Sequence, residues 1–276
     1  MRVQAAEKGG RAMDDVTDSA TRPTVSRRMA HGGKTVYGAR LGILILDTLY
    51  PRIPGDPVNA TTWPFPVLYK VVRGALPERV IRGRAEGLLD VFLEAAAELV
   101  ATGADGLTTT CGFLALFQDE LAAHCQVPVA ASSLMQVAPV QALLPPGKRV
   151  GILTANGPSL SENHLTAAGA PLDTPIGSTD DSCEFNRTMN LAEPMADMAA
   201  CEADVLAAGH ALIAEHPDLG AVVVECTRMA PFSKAVGQEI GLPVYDIYSF
   251  VTWFHGGLAP RDFGHPGSAP RPYVER

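Results

Sequence analysis

The chain lacks the features that would place it in several large functional classes. Its 22 Lys and Arg against 30 Asp and Glu give a formal charge of -8 and an isoelectric point near 5.3. That balance leaves no basic footprint for nucleic acid or for an anionic membrane surface. No apolar run approaches the roughly 18 to 20 residues that a membrane span needs. The first residues, Met1 to Arg11, are polar, unlike the apolar stretch of a secretory signal, so a cytoplasmic location is expected. The 5 cysteines are odd in number and form no Cys-x-x-Cys pair, so neither a zinc ribbon nor a complete disulfide framework fits, and no metal is expected. Gly-x-Gly-x-x-Gly, Walker and Gly-x-Ser-x-Gly sequences are absent, which removes the corresponding nucleotide sites and the serine-hydrolase elbow.

What is present fits a folded α/β protein. Hydrophobic residues make up 47% of the 276 residues and charged ones 19%, enough for one large domain or two modest ones. Residues 1–37 have no apolar periodicity and read as a disordered tail. Leu41–Leu46 is a continuous apolar run, the pattern of a parallel strand covered on both faces. Asp47 and Thr48 follow at its carboxyl end, where open α/β sheets place their ligands. Residues 51–66 hold Pro51, Pro54, Pro57, Pro64 and Pro66 and read as a long ordered loop, which makes Arg52, Asp56 and Asn59 candidates for substrate contact. Helical spacing of Leu88, Leu89, Phe92, Leu93, Ala96, Leu99 and Val100 predicts a helix over 84–102, stopped by Gly103. Gly106–Thr110 then reads as a strand, and Cys111-Gly112 breaks it before another helix. In the second half 148–154 reads as a strand, 191–216 as a helix and 221–225 as a strand that ends at Cys226.

An internal repeat relates the two halves. A shift of 115 residues carries Cys111 onto Cys226, Phe117 onto Phe232, Pro128 onto Pro243 and Val129 onto Val244, with no gap between cysteine and Pro-Val. Each copy is strand, cysteine, helix, strand. Two similar lobes with a cysteine at the same strand end predict a cleft with one thiol from each side. Residues 38–133 plus 247–276 are expected to form lobe 1, and 134–246 lobe 2.

Opposed thiols suit the exchange of a carbon-bound proton, one as base and one as acid, because their ordinary pKa of about 8.5 needs only modest tuning. The free N–H groups at a helix start favour a thiolate. Backbone N–H groups of Gly112, Phe113, Thr227 and Arg228 are placed to hold a substrate carboxylate. Thr110, just before the first thiol, and Asn156, after the first strand of the second half, complete the candidate pocket.

At Thr-Thr-Thr-Cys111-Gly-Phe, Glu-Cys226-Thr-Arg-Met-Ala-Pro231 and Leu46-Asp47-Thr48, the chain resembles the aspartate/glutamate racemase superfamily. The resemblance extends in layout over about residues 40–255 and implies a pseudo-symmetric pair of α/β lobes without metal, pyridoxal phosphate or nucleotide. It further implies a homodimer, and that Asp47, Thr48 and Thr227 contact a small carboxylate substrate. The expected function is therefore a cofactor-independent isomerase, a racemase or epimerase of an amino acid or related chiral acid, working by 1,1-proton transfer between Cys111 and Cys226. A maleate-type isomerase, an arylmalonate-type decarboxylase and a non-catalytic small-molecule binder remain alternatives. Glutamate racemases carry Cys-Asn-Thr and Cys-Thr-His where this chain has Cys111-Gly112-Phe113 and Cys226-Thr227-Arg228, which speaks against glutamate as substrate. Arg228 can pair with a second carboxylate, lower the Cys226 pKa, or lie on the surface. Cys125, Cys183 and Cys201 read as structural thiols, and His124, His164, His210 and His216 as surface residues.

Overall fold

Leu41–Leu46 is apolar throughout because both of its faces are covered. Leu41, Ile43 and Ile45 enter one buried cluster, with Trp63, Ile247, Phe250 and Val251. Leu44 and Leu46 enter the other, with Phe92, Leu99 and Leu107. The two-residue period of a strand thus feeds two cores from one run. In the computed structural model, which describes residues 30–190 and 193–264, this strand (β1) is one of eight parallel strands among the described residues. The others are β2 (Val67–Val72), β3 (Gly106–Thr109), β4 (Val129–Ala130), β5 (Arg149–Thr154), β6 (Ile176–Ser178), β7 (Leu219–Val224) and β8 (Val244–Tyr245). They form two four-stranded sheets with orders β2-β1-β3-β4 and β6-β5-β7-β8.

The helices follow in chain order as α1 (Pro77–Ile81), α2 (Leu89–Thr102), α3 (Gln118–Cys125), α4 (Val137–Leu143), α5 (Glu162–Ala167), α6 (Glu184–Asn190), α7 (Met198–Glu215), α8 (Ser233–Ile240) and α9 (Ile247–Leu258). None is long and apolar enough to cross a membrane. The 115-residue repeat holds at the level of elements. A 3-10 turn, Gly112–Phe117, joins β3 to α3, and its counterpart Thr227–Phe232 joins β7 to α8 with matching boundaries.

Several elements differ from the sequence reading. The helix expected from residue 84 begins at Leu89, because Arg84 and Ala85 adopt left-handed φ values of 51° and 56°. The helix expected over 191–216 is α7, which starts at Met198 where Asp197 caps it by accepting from the Ala199 and Ala200 N–H groups. The edge strands β2 and β6 were not foreseen. Ordered structure starts before residue 38: Val36 N–H donates to Thr102 O at 2.8 Å, and Lys34 pairs with Asp105. Residues 1–29 of the expected tail and 265–276 of the expected first lobe lie outside the described residues.

Direct bonds tie the two sheets together at their carboxyl ends. Thr227 Oγ1 donates to Thr110 O at 2.7 Å, and Ser133 Oγ lies 2.8 and 3.0 Å from Val224 O and Glu225 O. Thr227→Val keeps the shape and removes the first donor. Urea denaturation of this variant is expected to show a loss of about 1–2 kcal/mol, the usual cost of a buried hydrogen bond broken on one side. An unchanged midpoint would mean that the bond does not hold the lobes.

Candidate active site between the two sheets

Both cysteines stand where a strand gives way to a tight turn, and the repeat brings the two turns together. Cys111 and Cys226 line one cavity with Leu46, Tyr50, Pro77, Ile81, Thr110, Gly112, Phe113, Ala155, Met189, Glu225, Thr227 and Arg228. Its volume is about 20 Å³, room for roughly one water molecule. Every lining residue except Ala155, Met189 and the Glu225–Arg228 stretch comes from the first half of the chain.

Desolvation decides the charge state of this cavity. Turn N–H groups by themselves favour a thiolate, as expected from the sequence, but burial outweighs them. Cys111 is buried and Cys226 half-buried; burial, and then the Glu225 carboxylate, push the Cys111 thiol well up and raise Cys226 to about 12. The Phe113 and Leu114 N–H groups offset part of this at Cys111. Those of Arg228 and Met229, with the Arg228 charge, do so at Cys226. At neutral pH both groups are therefore thiols.

Glu225, the last residue before the second cysteine, was not singled out from the sequence. It is 1% exposed. Thr154 Oγ1 donates to its Oε2 at 2.5 Å, while Oε1 has no hydrogen-bond partner. Burial raises its pKa to about 7, against the Thr154 bond and the nearby Phe113 N–H. Gly112 is what makes room for it: a Cβ there would sit 2.2 Å from Glu225 Oε1, far inside contact distance. Tyr50 was also missed. Its ring carries the Arg52 guanidinium at 4.1 Å and that of Arg228 at 4.6 Å, and burial raises its pKa to about 12.

The other candidates divide into those at the cavity and those behind it. Thr110 lines the cavity, and its Oγ1 accepts from Leu46 N–H at 3.2 Å. Phe113 packs edge-on against His164, ring centroids 5.0 Å apart. Arg228 is not a surface arginine: it is 5% exposed and donates to Phe185 O and Thr188 Oγ1, both at 2.8 Å. His164 is also buried, where its Nδ1 meets Ser161 and burial lowers its pKa to about 4. Outside the cavity lining, Asp47 pairs with Arg73 and accepts from Gly74 N–H. Arg52 bridges Thr48 and the buried Asp56, and Asn59 donates to Arg52 O. Asn156 caps the 3-10 turn Gly157–Ser159. The proline-rich loop thus braces Tyr50 from behind. Cys125 and Cys201 are buried and Cys183 is half-buried.

The buried carboxylate makes stability depend on pH with a definite sign. A folded-state pKa raised from 4.5 to about 7 means that the native state holds a proton the unfolded chain has lost between those values. This contribution is complete below pH 4.5 and disappears as pH rises through about 7, by at most roughly 3 kcal/mol. Urea denaturation at pH 5 and pH 8 should show the fall in the parent protein and a flatter profile in Glu225→Gln. Parallel profiles would place the carboxylate in a wetter setting.

No protein-family model matches the chain. A dimethylsulfoniopropionate lyase of Durusdinium sp. clade D is 30% identical over 245 residues, 85% of this chain and 80% of that protein. Dimethylsulfoniopropionate lyase 7 of Emiliania huxleyi is 28% identical over 229 residues, 79% of this chain and 67% of its own length. Of lyase 5 from the same alga the chain spans 44%. Among solved structures, unliganded arylmalonate decarboxylase superposes with a TM-score of 0.52 at 17% identity, covering 86% of this chain and 98% of that one. Allantoin racemase of Pseudomonas fluorescens gives 0.52 at 13% identity, covering 79% and 90%. The similarity to racemases is thus one of fold. The chain is an enzyme, but the expected racemase or epimerase is overturned by relatives that are lyases. The chain belongs to the dimethylsulfoniopropionate lyase family, on the two-lobed fold of the aspartate/glutamate racemase superfamily.

Proposed function

We propose that the protein is a lyase that splits dimethylsulfoniopropionate into dimethyl sulfide and acrylate. The observation that carries this reading is the 30% identity to the Durusdinium lyase over 85% of the chain. The chemistry of the cavity supports it. In this substrate the carbon beside the carboxylate bears the acidic proton, and the next carbon bears a sulfonium that leaves as a neutral sulfide. One base therefore suffices. Removing the proton turns the C–H electron pair into the new double bond, and the carbon–sulfur pair departs with sulfur.

Cys226 is that base. The Arg228 and Met229 N–H groups and the Arg228 charge all favour its thiolate, whereas Cys111 has the corresponding N–H groups but no cation. Cys111, Thr110, Gly112, Phe113, Thr227 and Arg228 wall the reacting atoms and contact the substrate. Asp47, Thr48, Arg52, Asn59 and Asn156 act at one remove, by holding the turns and the Tyr50 ring. A cavity of about 20 Å³ admits about one water molecule, so it must widen to take the substrate; α1 supplies Pro77 and Ile81 to its wall. Its neighbour Arg82 pairs with Asp181 of the other half at 3.2 Å, and such an exposed pair resists opening by no more than about 1 kcal/mol.

Incubation with dimethylsulfoniopropionate, followed by gas chromatography of the headspace, should detect dimethyl sulfide, with acrylate left in solution. No sulfide from the folded protein would end the substrate assignment. Cys226→Ser is expected to lose about 10²–10⁴-fold in kcat, the range for removing a positioned general base, and Cys111→Ser to lose less. The reverse ranking would move the base to Cys111.

A further inference from the structure

The geometry points to Glu225 as the group that takes the thiol proton from Cys226 and then passes it to solvent after each turnover. This rests on the lyase reading and adds a third reacting group to it. Glu225 lines the same cavity as both thiols, and its Oε1 is buried without a hydrogen-bond partner while Oε2 is held by Thr154. An unpartnered buried carboxylate oxygen is costly, and here the space it occupies exists only because residue 112 has no side chain. Burial also leaves it titrating at about 7, far below either thiol.

A lyase has a need that a racemase lacks. Inversion returns a proton to the same carbon, so nothing accumulates. Elimination converts a zwitterion into an anion and a neutral sulfide, which leaves one proton on the enzyme. In the proposed cycle the Cys226 S–H bond breaks and an O–H bond forms at Glu225 Oε1. The thiolate then takes the substrate proton, the double bond forms, and the carbon–sulfur bond breaks with its electron pair on sulfur. The enzyme is left with a thiol and a carboxylic acid, and the acid releases the surplus proton to water.

The other charged and titratable groups facing the cavity do not offer this route. Tyr50 stays protonated, and Arg228 is held by Phe185 O and Thr188. Behind Phe113, His164 is neutral, with Arg84 the nearby charge that disfavours its protonation. Cys111 titrates well above the usual thiol range.

Glu225→Gln keeps the volume and tests the assignment. In the parent, kcat should rise with pH through about 7 and then level, because the thiol–carboxylate pair and its thiolate–acid tautomer hold the same number of protons. In the variant kcat should match the parent below about pH 7 and, with KM within about threefold, keep climbing tenfold per pH unit above it, so that at pH 9 it exceeds the parent's plateau by about 10²-fold. Glu225→Asp should restore the plateau. Alkylation of Cys226 by iodoacetamide, followed by mass spectrometry, should show the same contrast with no substrate present. A Glu225→Gln variant that keeps the plateau would overturn the proposal. If the parent makes no dimethyl sulfide, the lyase reading falls, and the alkylation profiles alone decide whether Glu225 takes the thiol proton.

Discussion

Exclusion of water from most of the seam between the two sheets is the constraint that favours the neutral thiols, phenol and carboxyl group there. Burial is the first cause of the raised pKa values of Tyr50, Cys111, Glu225 and Cys226 and of the lowered value of His164. In each case it favours the neutral form. Carbonyl and hydroxyl oxygens accept from the buried guanidinium of Arg228, and aromatic rings face it. A base in such a place starts as a thiol, but once ionised it is a strong one, because no water shell has to be stripped from it.

The dryness follows from how the halves are joined. Parallel sheets put the ends of their central strands on one side, and β1, β3, β5 and β7 all deliver their carboxyl ends to the seam. The Thr227–Thr110 bond, the Ser133 bonds to Val224 and Glu225, and the Gln136 bond to Asp246 O then satisfy backbone carbonyls that would otherwise face an unfilled gap. The proline-rich loop seals a further side: Gly55, at φ 99°, lies so close to Pro231 that a Cβ would be 2.9 Å from its Cα. Function thus depends on main-chain closure as much as on the side chains that react.

The parts legible in the sequence were those with a period or a copy. The apolar run of β1, the spacing of α2, and the 115-residue repeat that pairs Cys111 with Cys226 all have counterparts in the structure, because each reflects burial imposed by neighbours in a regular element. The edge strands were not legible: β2 is half-buried over most of its length and β6 throughout, so neither has a clear two-residue alternation. The late start of α2 was hidden because helical spacing continues through residues whose backbone turns left-handed. Asp47, Asn59 and Asn156 lie outside the cavity lining, and in sequence a polar residue at a strand end or in a loop looks the same whether it binds a substrate or caps a turn.

Two features of this site were visible in the sequence but not connected. Gly112 stands where glutamate racemases carry Asn, and Glu225 reads in isolation as a strand end. In space they are one feature, since the carboxylate fills the volume that the missing side chain vacates. A pair of thiols alone is indifferent to whether a carbon is inverted or an adjacent bond is broken, because both reactions begin with the same proton transfer. What distinguishes them is the fate of that proton. A fold that serves inversion can therefore serve elimination with its thiols unchanged, provided one neighbouring group titrates low enough to carry the surplus proton away.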